Sequence, residues 1–212
     1  MTEPETAIGK SATVTFDGAL CIHARRCVMA EPGVYKANVQ GPWIDPDAAS
    51  PDAVMATAIN CPSGAIQVTR TDGGAQEPKP KVNTITIREN GPLAVYAEIE
   101  LNGAPIGYRA TLCRCGASNN KPYCDGSHGA AGFVGTGEPS AKESQPLAMR
   151  DGPVKVTPYP NGPLGVAGPV EILTGTGHTI DRAVRAALCR CGRSENKPYC
   201  DGTHSKIGFV AP

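Results

Sequence analysis

A duplicated segment of 22 residues is the feature that most limits how this chain can fold. The segments LCRCGASNNKPYCDGSHGAAGF (112–133) and LCRCGRSENKPYCDGTHSKIGF (188–209) are identical at 16 of 22 positions. Each carries three cysteines and one histidine at the spacing C-x-C-x8-C-x3-H, namely Cys113, Cys115, Cys124 and His128 in the first copy and Cys189, Cys191, Cys200 and His204 in the second. A chain of 212 residues built around such a repeat is expected to form small domains rather than one large one.

The composition is poor in the large side chains that build an apolar core, so the fold is expected to need another source of stability. Gly and Pro together make up 45 of the 212 residues, and only 5% of residues are aromatic. The nine cysteines are an odd number, so they cannot all pair with one another. In a reducing compartment cysteines bind metal more often than they form disulfides. We therefore expect metal centres.

The net charge and the hydropathy of the chain indicate which kinds of partner are not expected. Twenty basic residues balance twenty acidic ones, which gives no indication of nucleic acid or of a membrane surface as a partner. The N-terminal MTEPETAIGK lacks the basic start and apolar run of a secretory signal, and no apolar stretch is long enough to span a bilayer. A cytoplasmic protein is the expectation.

Two polar, glycine- and proline-rich stretches, TDGGAQEPKPK (71–81) and GTGEPSAKESQP (135–146), indicate linkers. They predict three domains, over residues 1–75, 80–137 and 150–212. In both repeats, alternating apolar and polar residues flank an Asn-Gly-Pro turn, which predicts short hairpin strands. The first domain mixes strand-like ATVTF, VYKANV and AIQVTR with helical CIHARRCVMA and SPDAVMATAIN. The predicted fold class is α+β, with a β-rich unit occurring twice.

The repeated ligand set favours iron–sulfur chemistry. Two cysteines one residue apart can hold one iron, and the following cysteine and histidine can hold another. Structural zinc sites prefer C-x2-C or C-x4-C knuckles, so zinc is the weaker alternative. A metal-free core of thiols at this spacing is the least favoured interpretation.

Both copies resemble the CDGSH iron–sulfur domain of the mitoNEET-like proteins, in the pattern C-R-C-G-x-S-x-N/E-x-K-P-Y-C-D-G-S/T-H followed by G-F. The resemblance covers residues 82–134 and 152–210. It implies one 2Fe-2S cluster per motif, with the two leading cysteines on one iron and the Cys/His pair on the other. Family members with one motif form dimers. The resemblance therefore implies that this monomeric chain folds as an intramolecular pseudo-dimer with an internal pseudo-two-fold axis.

The three remaining cysteines, Cys21, Cys27 and Cys61, all lie in the first domain. C-I-H-A-R-R-C with a distant Cys-Pro resembles a divergent mono-cluster ferredoxin domain, over about residues 8–70, in which Ala24 stands where a second cysteine would be. The resemblance implies a 3Fe-4S cluster, or a 4Fe-4S cluster whose fourth iron takes water, substrate or His23. Ordinary core thiols are the alternative.

These features predict a non-catalytic electron carrier that passes electrons between redox partner proteins. A donor of clusters to apo iron–sulfur acceptors, or a pH or redox sensor, is the second hypothesis, because protons compete with iron for imidazole. A zinc-stabilised structural module is the third. Arg114 and Arg190, between the leading cysteines, either offset cluster charge or are simply exposed.

Overall fold

The computed structural model describes residues 3–212 of a chain that divides into two compact units. One unit ends at Pro78, and the other spans Lys79–Pro212 and contains both repeats. Strands make up most of the regular structure, and the helices are few and short. No helix within the described residues has both the length and the apolarity needed to cross a membrane.

The N-terminal unit is a three-stranded antiparallel sheet with two helices. Its elements are β1 (Glu5–Ile8), β2 (Ala12–Phe16), α1 (Arg26–Ala30), α2 (Pro51–Ile59) and β3 (Ile66–Arg70). The central strand is β2, with β1 and β3 on either side. Helix α2 begins where the Ser50 hydroxyl accepts a hydrogen bond from the Ala53 amide at 3.3 Å, and Pro51 occupies its first turn. Alternate residues of β2 and β3 pack with α2 in an apolar core that also contains Tyr35.

The sequence predicted this unit in outline, but the first helix is shorter than predicted. The predicted helix over 21–30 covers only residues 26–30, because His23 and Arg25 adopt left-handed backbone conformations with φ of 53° and 59°. The predicted strand VYKANV contributes a single bridge between Tyr35 and Ile44. Strand β1, in a segment that is polar and acidic, was not predicted.

The second unit is built from two similar halves. Its elements are β4 (Thr84–Ile87), β5 (Leu93–Leu101), β6 (Ala104–Leu112), α3 (Ser127–Ala130), β7 (Pro153–Pro158), β8 (Leu164–Leu173), β9 (Thr179–Leu188) and α4 (Thr203–Lys206). The predicted hairpins are β4–β5 and β7–β8, both antiparallel. Asn90 and Asn161 take the left-handed conformation that these tight turns need. Each hairpin gains a third strand, β6 or β9, along the full length of β5 or β8.

The two halves form one six-stranded sheet by exchanging strand partners. The first part of β5 pairs with β4 of its own half, and the last part pairs in parallel with β7 of the other half. Strand β8 does the same, pairing first with β7 and then in parallel with β4. The buried core beneath is aliphatic and takes eight of its side chains from each half. Each repeat thus completes the sheet and core of the other.

Candidate iron–sulfur centres

Two loops at the ends of β6 and β9 hold the repeated cysteines. We call residues 113–128 the first motif loop and residues 189–204 the second. Each loop folds back on the strand that precedes it: the Cys113 amide donates to Pro122 O at 2.8 Å, and the Cys124 amide donates to Thr111 O at 2.9 Å. The second loop repeats both hydrogen bonds at 2.8 Å. This fold-back returns the third cysteine of each loop to the end of the strand that leads into the first.

Three of the four ligand pairs predicted from the sequence lie at distances that suit metal binding. The Sγ atoms of Cys113 and Cys115 are 3.7 Å apart, and those of Cys189 and Cys191 are 3.8 Å apart. Two sulfurs bonded at about 2.3 Å to one tetrahedral metal would be about 3.8 Å apart. In the first loop, Cys124 Sγ lies 3.4 Å from His128 Nδ1, which completes a second pair. These residues fit one iron per pair.

The second loop differs at its histidine. His204 Nδ1 lies 2.9 Å from the carbonyl oxygen of Asn161 and 3.3 Å from Ser205 Oγ, so the ring is turned toward the Asn-Gly-Pro turn. The structure therefore brings His128 to its predicted cysteine partner but does not bring His204 to Cys200. Both histidines sit on short helices, α3 and α4, whose first amides donate to Asp125 and Asp201.

The surroundings of the first motif loop change the pKa values of its cysteine thiols, and they favour the thiolate form at Cys113. A hydrogen bond with Cys115 lowers the pKa of Cys113 to about 6 and raises the pKa of Cys115. Burial raises the pKa of Cys124, and the Gly126 amide, 3.4 Å from its sulfur, opposes that rise. Amides that donate to the sulfur of a bound ligand also tune the potential of a cluster. In the first motif loop the leading pair therefore loses one proton most easily at Cys113.

Side chains within each loop hold its shape. Ser118 is buried, donates to Tyr123 O at 2.6 Å and accepts from the Asn120 amide at 3.0 Å. Ser194 makes the same bonds in the second loop. Lys121 and Lys197 each donate to the backbone oxygen of the loop serine. The lysines therefore support the loops, a role that sequence reasoning did not assign.

The arginines between the leading cysteines are buried, so the alternative that they are simply exposed is wrong. Arg114 and Arg190 are each 1% exposed. The guanidinium group of Arg114 donates to the carbonyl oxygens of Arg88, Gly91, Gly135 and Thr136. That of Arg190 donates to the carbonyl oxygens of Tyr159 and Gly162 and to a backbone oxygen of Pro212. The only sign in the sequence that these two residues share a role was that both repeats have an arginine at this position.

The two motif loops touch through their glycines. A Cβ atom added to Gly116 would lie 2.6 Å from Cys191 O, and one added to Gly192 would lie 2.3 Å from Cys115 O. Both glycines also have positive φ, 84° and 79°. Only a residue without a side chain allows the two Cys-Arg-Cys turns to approach this closely.

The three N-terminal cysteines line a cavity of about 680 Å³. Cys21 follows a short 3-10 turn, Cys27 lies in α1, and Cys61 follows α2. Burial raises the pKa values of Cys21 and Cys27, and the charge of Cys61 raises both further. The predicted alternative ligand His23 also lines the cavity, as does Ala24. The three thiols thus face one space, as a shared cluster would require.

Comparison with protein families agrees with this arrangement. The model of the "iron-binding zinc finger CDGSH type" matches residues 90–129 and 161–205, which contain both motif loops. The model of the "divergent 4Fe-4S mono-cluster" matches residues 8–71, which contain all three N-terminal cysteines. The chain carries two CDGSH domains behind a divergent mono-cluster domain. It is therefore an iron–sulfur protein, and the resemblances stated from the sequence are confirmed. A comparison with curated proteins found no match.

Proposed function

We propose that this protein is a non-catalytic electron carrier with three iron–sulfur clusters. Cys113, Cys115, Cys124 and His128 would hold one 2Fe-2S cluster, and Cys189, Cys191, Cys200 and His204 would hold the other. Cys21, Cys27 and Cys61 would hold a 3Fe-4S or 4Fe-4S cluster. The observation that carries the proposal is the pairing of ligand atoms in the motif loops, with separations of 3.4–3.8 Å.

The CDGSH domains would act together as an intramolecular pseudo-dimer. The reciprocal pairing of β4 with β8 and of β5 with β7 supports this arrangement. So does a core that draws equally on the two repeats. An electron entering one motif loop would then have the other in backbone contact with it, at Gly116 and Gly192.

The chain's own groups supply the conditions for electron transfer. Buried Cys113 and Cys189 keep water from the leading ligand pairs. Amides that donate to cysteine sulfur, such as Gly126 to Cys124 and Gly202 to Cys200, both at 3.4 Å, delocalise negative charge. Such bonds favour the reduced state of a bound cluster and raise its potential. The partners would be redox proteins that exchange single electrons.

Counting clusters tests this proposal. Electron paramagnetic resonance of oxidised and reduced protein, together with iron and acid-labile sulfide analysis, should give two 2Fe-2S signals and one further cluster. Cys61→Ser should remove only the further cluster. Stoichiometric zinc without sulfide would refute the proposal and favour a zinc-stabilised module. Fast, reversible reduction with all clusters retained supports the carrier.

A second function, donation of clusters, is favoured by the orientation of His204. Its Nδ1 interacts with Asn161 O rather than with Cys200, so the second cluster would have the more easily lost ligand. Mixing the loaded protein with an apo-ferredoxin should then transfer the second cluster within minutes and before the first. His204→Cys should slow that transfer, and His128→Cys is the matched control. Equal retention of both clusters would rule out donation.

A further inference from the structure

The cavity lined by the three N-terminal cysteines is bordered by basic side chains and by no acidic ones. Arg25, Arg26 and Lys36 line it, and no Asp or Glu among the described residues does so. We call these three residues the basic rim. The N-terminal unit as a whole has the opposite balance, with nine acidic and five basic residues up to Pro78. The basic rim therefore does not follow from the composition of the unit.

The two arginines of the basic rim are exposed and carry the charge that is left unbalanced. Lys36 Nζ lies 3.1 Å from Asp45 Oδ2, so the charge of the lysine is largely balanced. Within the part of the chain that the structure describes, neither Arg25 nor Arg26 forms an ion pair. The guanidinium group of Arg26 donates to Asn60 O at 3.4 Å, which holds it against the end of α2. Two positive charges thus face solvent at the cavity.

The backbone that presents Arg25 is strained. His23 and Arg25 have φ of 53° and 59°, in the left-handed region that is unfavourable for residues with a side chain. The His23 amide donates to Cys21 Sγ at 3.4 Å, so this loop turns around the first thiol. Backbone strain of this kind is concentrated at functional sites. Because of it, α1 begins only at Arg26, and residues 23–26 remain exposed.

Apolar side chains share the cavity with the basic rim. Phe16 and Trp43 line it with their ring centroids 4.8 Å apart, and Val39, also part of the lining, is 45% exposed. Protein interfaces are enriched in aromatic residues and arginine and depleted in acidic residues. The lining of the cavity therefore has the composition of a docking surface.

An alternative is that the arginines only offset the negative charge of the thiolates. Water and salt screen an exposed charge, so it acts weakly on a neighbour that is partly buried. Cys21, Cys27 and Cys61 are half-buried, whereas both arginines are exposed. The positive charge is therefore better placed to attract a negatively charged partner from solution than to balance the ligands.

We propose that the basic rim is the docking surface for a redox protein with an acidic surface, which exchanges electrons at the N-terminal cysteine site. The inference rests on the proposed electron carrier and adds the chemistry of its partner. In the docked complex one electron passes from the reduced partner to the oxidised site, and no bond is made or broken. Arg25 and Arg26 attract and orient the partner, and the apolar side chains exclude water from the contact.

The charge of the whole chain does not produce such a preference. Twenty basic and twenty acidic residues give a net charge of zero, so only local charge attracts an acidic carrier. Local charge of opposite sign speeds association by about tenfold or more at low ionic strength. At about 1 M salt the Debye length falls to about 3 Å, and this advantage is lost. The dependence of the rate on salt therefore reports the charge at the docking surface.

The test compares two carriers of opposite charge, flavodoxin, which is acidic, and cytochrome c, which is basic. Stopped-flow measurements on the iron-loaded protein give a second-order rate constant for each carrier, and Cys61→Ser identifies the phase that belongs to the N-terminal site. Arg25→Gln/Arg26→Gln removes both charges, and Arg25→Lys/Arg26→Lys keeps them. Lys10→Gln, at an exposed lysine that does not line the cavity, is the control. Titration calorimetry of the oxidised proteins measures binding without electron transfer.

We expect the glutamine variant to lower both the rate constant and the affinity for flavodoxin about tenfold at low salt, and not to slow the reaction with cytochrome c. The lysine variant and Lys10→Gln should match the wild type. At about 1 M salt all four proteins should react with flavodoxin at similar rates. Equal rates of wild type and glutamine variant with flavodoxin at low salt would overturn the inference. So would a slower rate that a changed reduction potential explains, with the affinity unchanged.

Other outcomes also decide the matter. If only the glutamine variant loses the N-terminal cluster, Arg25→Gln and Arg26→Gln are measured singly, and each should slow the reaction with flavodoxin. Loss of that cluster in the lysine variant as well would give the arginines a structural role and overturn the inference. So would competition by inorganic phosphate too dilute to change the ionic strength, because the rim would then bind a small anion. A wild type that holds no N-terminal cluster, or that exchanges electrons with neither carrier, would instead refute the proposed function.

Discussion

Gly192→Ala should disrupt the contact between the motif loops, and Gly202→Ala provides a control with the same backbone strain. Both glycines have positive φ, 79° and 83°, where an alanine costs about 1–2 kcal/mol. At Gly202 the added Cβ meets nothing within 4 Å, whereas at Gly192 it would lie 2.3 Å from Cys115 O and 2.8 Å from Cys115 C. Backbone atoms must then move by about 1 Å, and such overpacking costs about 1–3 kcal/mol more.

We therefore expect Gly192→Ala to destabilise the second unit by about 2–5 kcal/mol, against about 1–2 kcal/mol for Gly202→Ala. The assay is urea unfolding of the iron-loaded protein, followed by far-ultraviolet circular dichroism and by the visible absorption of the clusters. A chain with bound cofactors and two units does not unfold in one step, so the comparison uses the transition that carries the visible absorption. Equal destabilisation by the two variants would refute the reasoning that the loops are in close backbone contact.

Three further predictions concern single contacts and the loaded state. Hydrogen bonds from Arg70 and then from the Gly74 amide lower the pKa of Asp72 to about 2, so its carboxylate stabilises the fold above about pH 4 and loses that effect as pH falls toward 2. The melting temperature of wild type should exceed that of Asp72→Asn at pH 6, and a difference that persists at pH 2 would contradict this. Ser118→Ala should cost about 1–3 kcal/mol by removing the two hydrogen bonds of a buried hydroxyl group, and should speed loss of the first cluster only; equal loss of both clusters would count against it. Chelation of iron should remove hydrogen-exchange protection from the motif loops but leave the shared core of β4, β5, β7 and β8 protected, and collapse of both together would show that the clusters hold the sheet.

The parts of the structure that follow local rules were predictable from the sequence. The pairing of Cys113 with Cys115 follows from a separation of two residues, and the β4–β5 hairpin follows from alternation around an Asn-Gly turn. Strand β6 was missed because its first residues are exposed and its last four are buried, so it shows no alternation. Pairing between strands of different repeats has no local signal at all.

The surroundings of the ligands were harder to predict. Burial of Arg114 depends on carbonyl groups of Gly135 and Thr136, more than twenty residues along the chain and inside a segment that looks like a plain linker. The two histidines have different neighbours, because His128 lies between Ser127 and Gly129, whereas His204 lies between Thr203 and Ser205. His204 alone turns toward Asn161, and its Nδ1 also contacts Ser205 Oγ, a group that the first repeat lacks.

Because both repeats belong to one polypeptide, a mutation alters one site at a time. In a dimer of identical single-repeat chains, every substitution appears beside both clusters. Here the second repeat has Arg193 and Glu195 where the first has Ala117 and Asn119. It also places the ammonium group of Lys142 3.1 Å above the Tyr199 ring. Two repeats within one sheet can therefore become unequal, and in the proposed electron carrier such a difference would give an electron a preferred direction of travel.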